Sequence, residues 1–152
     1  MSIAERFMLS MFRNYYLPYL NDIAEGSYIG KILLYSMRFV KSGNIEGDYL
    51  EFGVHKGRSL ITAYRLSTRY NLSMKFYAFD SFGGLPAITG VDAQGFSEFS
   101  PGEYSCSIKN FRKNLVREGV DLMRVSLIPG WYDQTLKKET KKNLSLKKAS
   151  II

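Results

Sequence analysis

The sequence predicts an α/β fold, a doubly wound parallel sheet that is incomplete at its C-terminal side and preceded by N-terminal helices. Three observations predict it. Short apolar stretches alternate with segments of helical period, each stretch ends in a turn-forming or acidic residue, and the order strand, helix, strand, helix, strand, helix, strand recurs from residue 47 onward. The chain has 152 residues, 45% of them hydrophobic, enough for one core. We divide it into an N-terminal helical segment, 1–46, and the N-terminal part of a Rossmann-like domain, 47–152.

The first segment reads as helical. Phe7, Met11 and Tyr15 share a face at a four-residue period, and Pro18 with Asn21 and Asp22 marks a break. The tyrosines of "NYYLPYL" are read as core packing, an acceptor pocket or a subunit contact. From Ser27, an N-cap candidate, Ile29, Ile32, Leu33, Ser36, Met37 and Val40 describe an amphipathic helix, which Gly43 is expected to stop.

"DYLEFGV" supplies a first strand, Tyr49 to Phe52, and a helix follows from about Arg58 to Tyr70 with Leu60, Ile61 and Tyr64 facing the sheet. "KFYAFD" supplies a second strand, Lys75 to Asp80. The aperiodic segment Ser81 to Ser105 holds five glycines and two prolines. Aperiodic loops longer than about 15 residues tend to be functional, and Phe96, Phe99 and Tyr104 would anchor this one as a lid. A helix is predicted from Ser107 to Glu118, with Ile108, Phe111 and Leu115 on one face and Gly119 as its stop. "MRVSLIPGW" gives a third strand, Arg124 to Ile128. A lysine-rich helix carries Lys137, Lys138, Lys141, Lys142, Lys147 and Lys148, and "KKASII" begins a fourth strand.

Composition narrows the function classes. The net charge is +7, partly concentrated in those lysines, and a run of this kind is read as a solvated face. No aromatic stacking motif interleaves it, so no nucleic-acid partner is expected. No apolar run approaches the ~20 residues of a membrane span, and Glu5 and Arg6 interrupt any signal-peptide centre. A cytoplasmic location without membrane attachment is expected. Cys106, the single cysteine, excludes an internal disulfide and is read as a small buried apolar residue or an idle thiol at a helix start.

In doubly wound sheets ligands sit beyond the carboxyl ends of the strands. There, Gly53 and Gly57 remove side chains so that backbone can approach a ligand, and Ser59 adds a hydroxyl to a helix start able to hold a negative group. Glu51 is an acceptor for an ammonium. Asp80, 23 residues after Gly57, stands where an acidic residue meets ribose hydroxyls. Ammonium, carboxylate and ribose together describe S-adenosylmethionine. A G-x-G-x-x-G dinucleotide turn would need glycine where this chain has His55, yet an NAD(P)-binding oxidoreductase domain stays as the alternative. A catalytic role for His55 is not expected, because a general base must meet the acceptor hydroxyl.

"LEFGVHKGRS", "FYAFDSFGGLP" and "LIPGWYDQTL" together resemble the class I S-adenosylmethionine-dependent methyltransferases of the macrocin O-methyltransferase (TylF-like) type. The resemblance runs from about Gly47 to the end of the chain, and its most specific part is Asp80 to Pro86. It implies an O-methyltransferase acting on a sugar hydroxyl of a glycosylated small molecule or polysaccharide precursor. By the same resemblance Glu51, Gly53, Val54, Gly57 and Ser59 would surround the methionine portion of the cofactor. Asp80 would bind the ribose, Ser81 and Phe82 would flank ribose and adenine, and Gly130, Trp131 and Tyr132 would lie at the adenine edge. The alternative for Trp131 is an ordinary core residue.

The resemblance further implies a seven-stranded sheet whose fourth strand pairs beside the first, with a divalent metal (Mg) and a base supplied by later segments. Their ligands are not expected among these residues, so the catalytic residues are unassigned. The chain reads as the N-terminal portion of a longer protein or as a truncated gene product, and on its own it is expected to bind cofactor weakly or not at all. The expected partner is a small-molecule hydroxyl acceptor, with a homo-oligomer allowed. A non-catalytic fragment that pairs through its open sheet edge and lysine-rich helix is the third reading.

Overall fold

A computed structural model describes residues 28–90 and 99–152. The expectations for Phe7, Met11, Tyr15, the "NYYLPYL" tyrosines, Ser27 and Phe96 fall outside these residues. The elements run α1 (Tyr28–Ser42), β1 (Asp48–Phe52), α2 (Arg58–Arg69), β2 (Phe76–Asp80), α3 (Ile108–Arg117), a 3-10 turn (Leu122–Arg124), β3 (Val125–Pro129), α4 (Tyr132–Thr135), α5 (Lys138–Asn143) and β4 (Ala149–Ile151).

All strand pairs are parallel and the order is β3-β2-β1-β4, so the fourth strand lies beside the first. β1 and β2 pair from Tyr49↔Phe76 to Phe52↔Phe79, and β2 and β3 from Phe76↔Val125 to Asp80↔Pro129. β4 reaches only Asp48↔Ala149 and Tyr49↔Ile151. The Leu50–Phe52 part of β1 therefore has no ladder partner on that side among the described residues, as the short fourth strand predicts.

The two-residue period of β2 separates two apolar layers. Phe76 and Ala78 point into the larger one, where Leu33, Met37 and Val40 of α1, Leu60 and Leu66 of α2, and Phe111 and Leu115 of α3 meet. Tyr77 and Phe79 point to the opposite face, joining Leu50, Ile128, Leu144 and Leu146. There the Tyr77 hydroxyl donates to the Leu144 carbonyl at 3.3 Å. Helical cover on both faces fits an almost continuously apolar strand.

Several details differ from expectation. In α1 the inward face is Gly30, Leu33, Met37 and Val40, whereas Ile29 and Ile32 are exposed. That helix ends at Ser42, and the left-handed residue after it is Asn44 (φ 48°), not Gly43. Ser107 caps α3 through its Oγ, which accepts the Asn110 N–H at 3.3 Å, and Ile108 is partly exposed while Phe111 and Leu115 are fully buried. The lysine-rich helix is short, Lys138–Asn143, with Lys137 as its N-cap, and Lys147 and Lys148 lie beyond its end at Leu144.

Arg124, read only as a strand start, is a structural tie. Its Nε donates to the Met74 carbonyl (3.1 Å), and Nη2 to Met74 (2.9 Å) and Leu72 (3.1 Å) carbonyls and to Ser67 Oγ (3.3 Å). The guanidinium also stands 5.0 Å from the Tyr64 ring centre and 5.4 Å from that of Phe76. A lysine offers one nitrogen in place of this fork, so Arg124→Lys is expected to cost about 2 kcal/mol in urea unfolding. An unchanged midpoint would contradict that role.

Candidate functional site

The strand-to-helix turn after β1 is held in place by a residue from the neighbouring strand. Asp80 Oδ2 accepts the N–H groups of Val54 (2.8 Å) and His55 (3.0 Å), and Oδ1 accepts the N–H of Phe82 (2.7 Å). Such a carboxylate ties the ends of β1 and β2 together. Three of its roughly four lone-pair positions are already used, so room remains for one ribose hydroxyl and not for the two that the sequence suggests.

The two glycines of the turn differ. Both have left-handed φ, 84° at Gly53 and 86° at Gly57. A Cβ on Gly57 would lie 2.9 Å from Phe111 Cε2 and 3.3 Å from Leu115 Cδ2. Gly57 is thus demanded by α3 packing, a reason for glycine that the sequence reading did not give. A Cβ on Gly53 would find only the Tyr132 hydroxyl, at 3.5 Å. Gly53 is the open one.

Glu51 sits on the same face of β1 as Tyr49. Its Oε1 accepts the Ser59 hydroxyl and its Oε2 the Tyr49 hydroxyl, each at 2.6 Å. Burial pushes its carboxyl above the usual range; the two hydroxyls pull the other way, and the charge of Asp80 adds to the rise. Burial, and then the charge of Glu51, hold the Tyr49 phenol far above its ordinary value. Ser59 therefore serves Glu51 and not the start of α2, which has no side-chain cap.

Val54 is a core residue whose N–H goes to Asp80. Ser81 Oγ donates to the Gly84 carbonyl (3.2 Å) and accepts the Gly83 N–H (3.1 Å), closing its own turn. Phe82 packs against the core, its ring edge-on to Phe111 at 5.4 Å. The Gly130 N–H donates to the Asp80 carbonyl at 2.9 Å. Trp131 is 40% exposed, so it is no core residue. Tyr132 stands over Gly53; burial first and Asp80 second raise its phenol above the ordinary value.

The structure thus brings Glu51, Gly53, Asp80 and Tyr132 together and gives Val54, Gly57, Ser59, Ser81, Phe82 and Gly130 supporting duties. Sequence reasoning missed an aromatic wall beside them. Phe52 stacks on Phe79 at 4.8 Å and meets Tyr132 edge-on at 6.0 Å. Phe52 and Phe79 are direct partners on neighbouring strands, and an aromatic near the end of each strand pattern was the available signal. His55 has φ 45°, and its ring meets Tyr104 edge-on at 5.8 Å. Tyr104 also meets Phe99, and Cys106 is buried.

The loop after β2 is pinched at its base. The Leu85 N–H donates to the Glu103 carbonyl (2.9 Å) and the Gly102 N–H to the Leu85 carbonyl (2.8 Å). A Cβ on Gly84 would lie 2.5 Å from the Gly102 and Glu103 carbonyl oxygens. Among the described residues no group of three or more His, Cys, Asp or Glu side chains could hold a metal ion. Nor is any described helix long and apolar enough to cross a membrane.

Residues 30–149 match the family model described as macrocin O-methyltransferase (TylF). Among solved structures, "Structure of the O-methyltransferase NovP" is similar with a TM-score of 0.61 and 21% identity, over 72% of this chain and 47% of that one. The chain therefore spans about half the length of that protein, and at this identity the likeness is one of fold. A search of curated proteins finds no match.

Proposed function

Because the chain belongs to the macrocin O-methyltransferase (TylF) family, we propose that it forms the cofactor-binding part of an S-adenosylmethionine-dependent O-methyltransferase whose acceptor is a sugar hydroxyl on a small molecule or polysaccharide precursor. The observation that carries this reading is the open face at Gly53, flanked by the Glu51 and Asp80 carboxylates and roofed by Tyr132.

S-adenosylmethionine, when bound, supplies an electrophilic sulfonium methyl. The residues here bind and orient. Gly53 lets the backbone lie against the ligand, since no side chain fills that position. Glu51 accepts the ammonium; its two hydroxyl partners fix the carboxylate, so little orientational freedom is lost on binding. Asp80 holds the turn closed and keeps one lone pair for a ribose hydroxyl. Phe52 and Tyr132 exclude water from one side. The described residues offer no ligand set for the divalent metal that the resemblance implies.

Because weak binding is expected of this chain on its own, the test uses millimolar ligand: S-adenosylhomocysteine should raise its melting temperature where NAD does not, and protection by NAD alone would favour the oxidoreductase reading. The pH dependence follows from Glu51. Its raised pKa leaves it partly protonated in mildly acidic solution, and an ammonium requires the ionised form. Affinity for S-adenosylhomocysteine should rise with pH through that pKa and then level off, and Glu51→Gln should flatten the curve. For the free chain the sign is opposite: the contribution of Glu51 to stability is present below its unfolded pKa and is lost as pH rises through the folded one.

A further inference from the structure

A groove of about 480 Å³, lined by none of Glu51, Gly53, Asp80 and Tyr132, runs between the start of α2 and the end of α3. Its charged lining is Lys56, Arg58, Arg65, Arg117 and Glu118, four cations and one carboxylate, a net charge of +3. We infer that this groove is a binding site for a small phosphate-bearing anion of at least two charges, a sugar phosphate or nucleotide in size.

Glu118 organises one wall. It takes Arg65 Nη2 at 2.8 Å and Arg117 Nε at 3.1 Å, and the Arg117 bond first, then Arg65, hold its carboxyl below the ordinary range. Each contact engages one nitrogen of a guanidinium that carries five N–H donors, so both arginines keep donors for a second acceptor. Two long side chains are already ordered before a ligand arrives, which lowers the entropic cost of binding.

Lys56 forms the other wall. Its carbonyl accepts the Asn114 amide at 3.1 Å, pinning the turn to α3. Among the described residues no ion pair or hydrogen bond occupies its ammonium. The first turn of α2 contains no acidic residue of its own.

A tetrahedral phosphate with three acceptor oxygens can bridge the two walls, whereas a single carboxylate would leave most of the charge unanswered. The volume falls within the range of small-molecule sites. No aromatic side chain lines the groove, so it lacks the stacking platform on which single-stranded nucleic acid rests.

Calorimetric titration of the 152-residue chain with inorganic pyrophosphate at low ionic strength tests this without any cofactor, independently of the methyltransferase reading. Saturable binding is expected, weakened about tenfold by Lys56→Gln and about a hundredfold by the Lys56→Gln/Arg117→Gln pair. Lys56→Gln changes an exposed side chain and serves by itself where the double variant fails to fold. The inference is overturned by an absence of saturation up to roughly 10 mM, by unchanged affinity in Lys56→Gln, or by a short oligothymidylate binding more tightly than pyrophosphate.

Discussion

Gly57→Ala unfolds the chain at a markedly lower denaturant concentration, whereas Gly53→Ala chiefly weakens binding of S-adenosylhomocysteine. Both substitutions put an L residue at a left-handed φ, which costs about 1–2 kcal/mol. At Gly57 the new methyl also meets the Phe111 ring at 2.9 Å, and that ring is fully buried against the sheet. Overpacking of this kind adds about 1–3 kcal/mol, giving a total of about 2–5 kcal/mol. Against a total stability of about 5–15 kcal/mol, that is a large fraction. At Gly53 there is open space, so backbone strain alone remains and the methyl projects toward Tyr132. Equal unfolding losses in the two variants, measured in urea, would refute the division of labour.

Asp80→Ala is expected to be the more damaging of two changes at the β2 end. It orphans the N–H groups of Val54, His55 and Phe82, each at about 1–3 kcal/mol, so a loss of about 3–9 kcal/mol is expected. Asp80→Asn keeps one acceptor oxygen and turns an NH2 toward the remaining donors, which should cost about 1–3 kcal/mol. Amide hydrogen exchange distinguishes this from a role confined to the ligand. The amides of Val54, His55 and Phe82 should lose protection together in Asp80→Ala, and S-adenosylhomocysteine binding should vanish with them. Continued protection of Val54 and His55 would mean that the turn holds itself.

These two positions also mark how far the sequence can be read. Strand and helix order was legible because periods of two and of about 3.6 are written in side-chain polarity, and β1, β2, α2 and α3 differ from expectation by a residue or so at their ends. A glycine records only a missing side chain, not what would collide with one. Gly53 and Gly57 therefore read alike although one faces open space and the other Phe111. Asp80 was visible as a strand-end carboxylate, but its partners are backbone donors 25 and 26 residues away, and backbone donors carry no identity in the sequence. Arg124 escaped for the same reason, since three of its four nitrogen-to-acceptor contacts go to carbonyls. The lysine run looked like one longer helix because charge spacing alone does not register the stop at Leu144 and the left-handed Ser145 (φ 52°) after it.

The pinch at Leu85, Gly102 and Glu103 bears on how such a chain can diversify. With the two ends of the segment fixed to each other, lengthening what lies between them changes only a loop-closure entropy, and a doubling costs about 0.6 kcal/mol. Insertions and substitutions between those anchors are thereby uncoupled from the strand ends that hold Asp80. Side chains there can change generation after generation while Asp80 and the turn it holds are inherited unchanged.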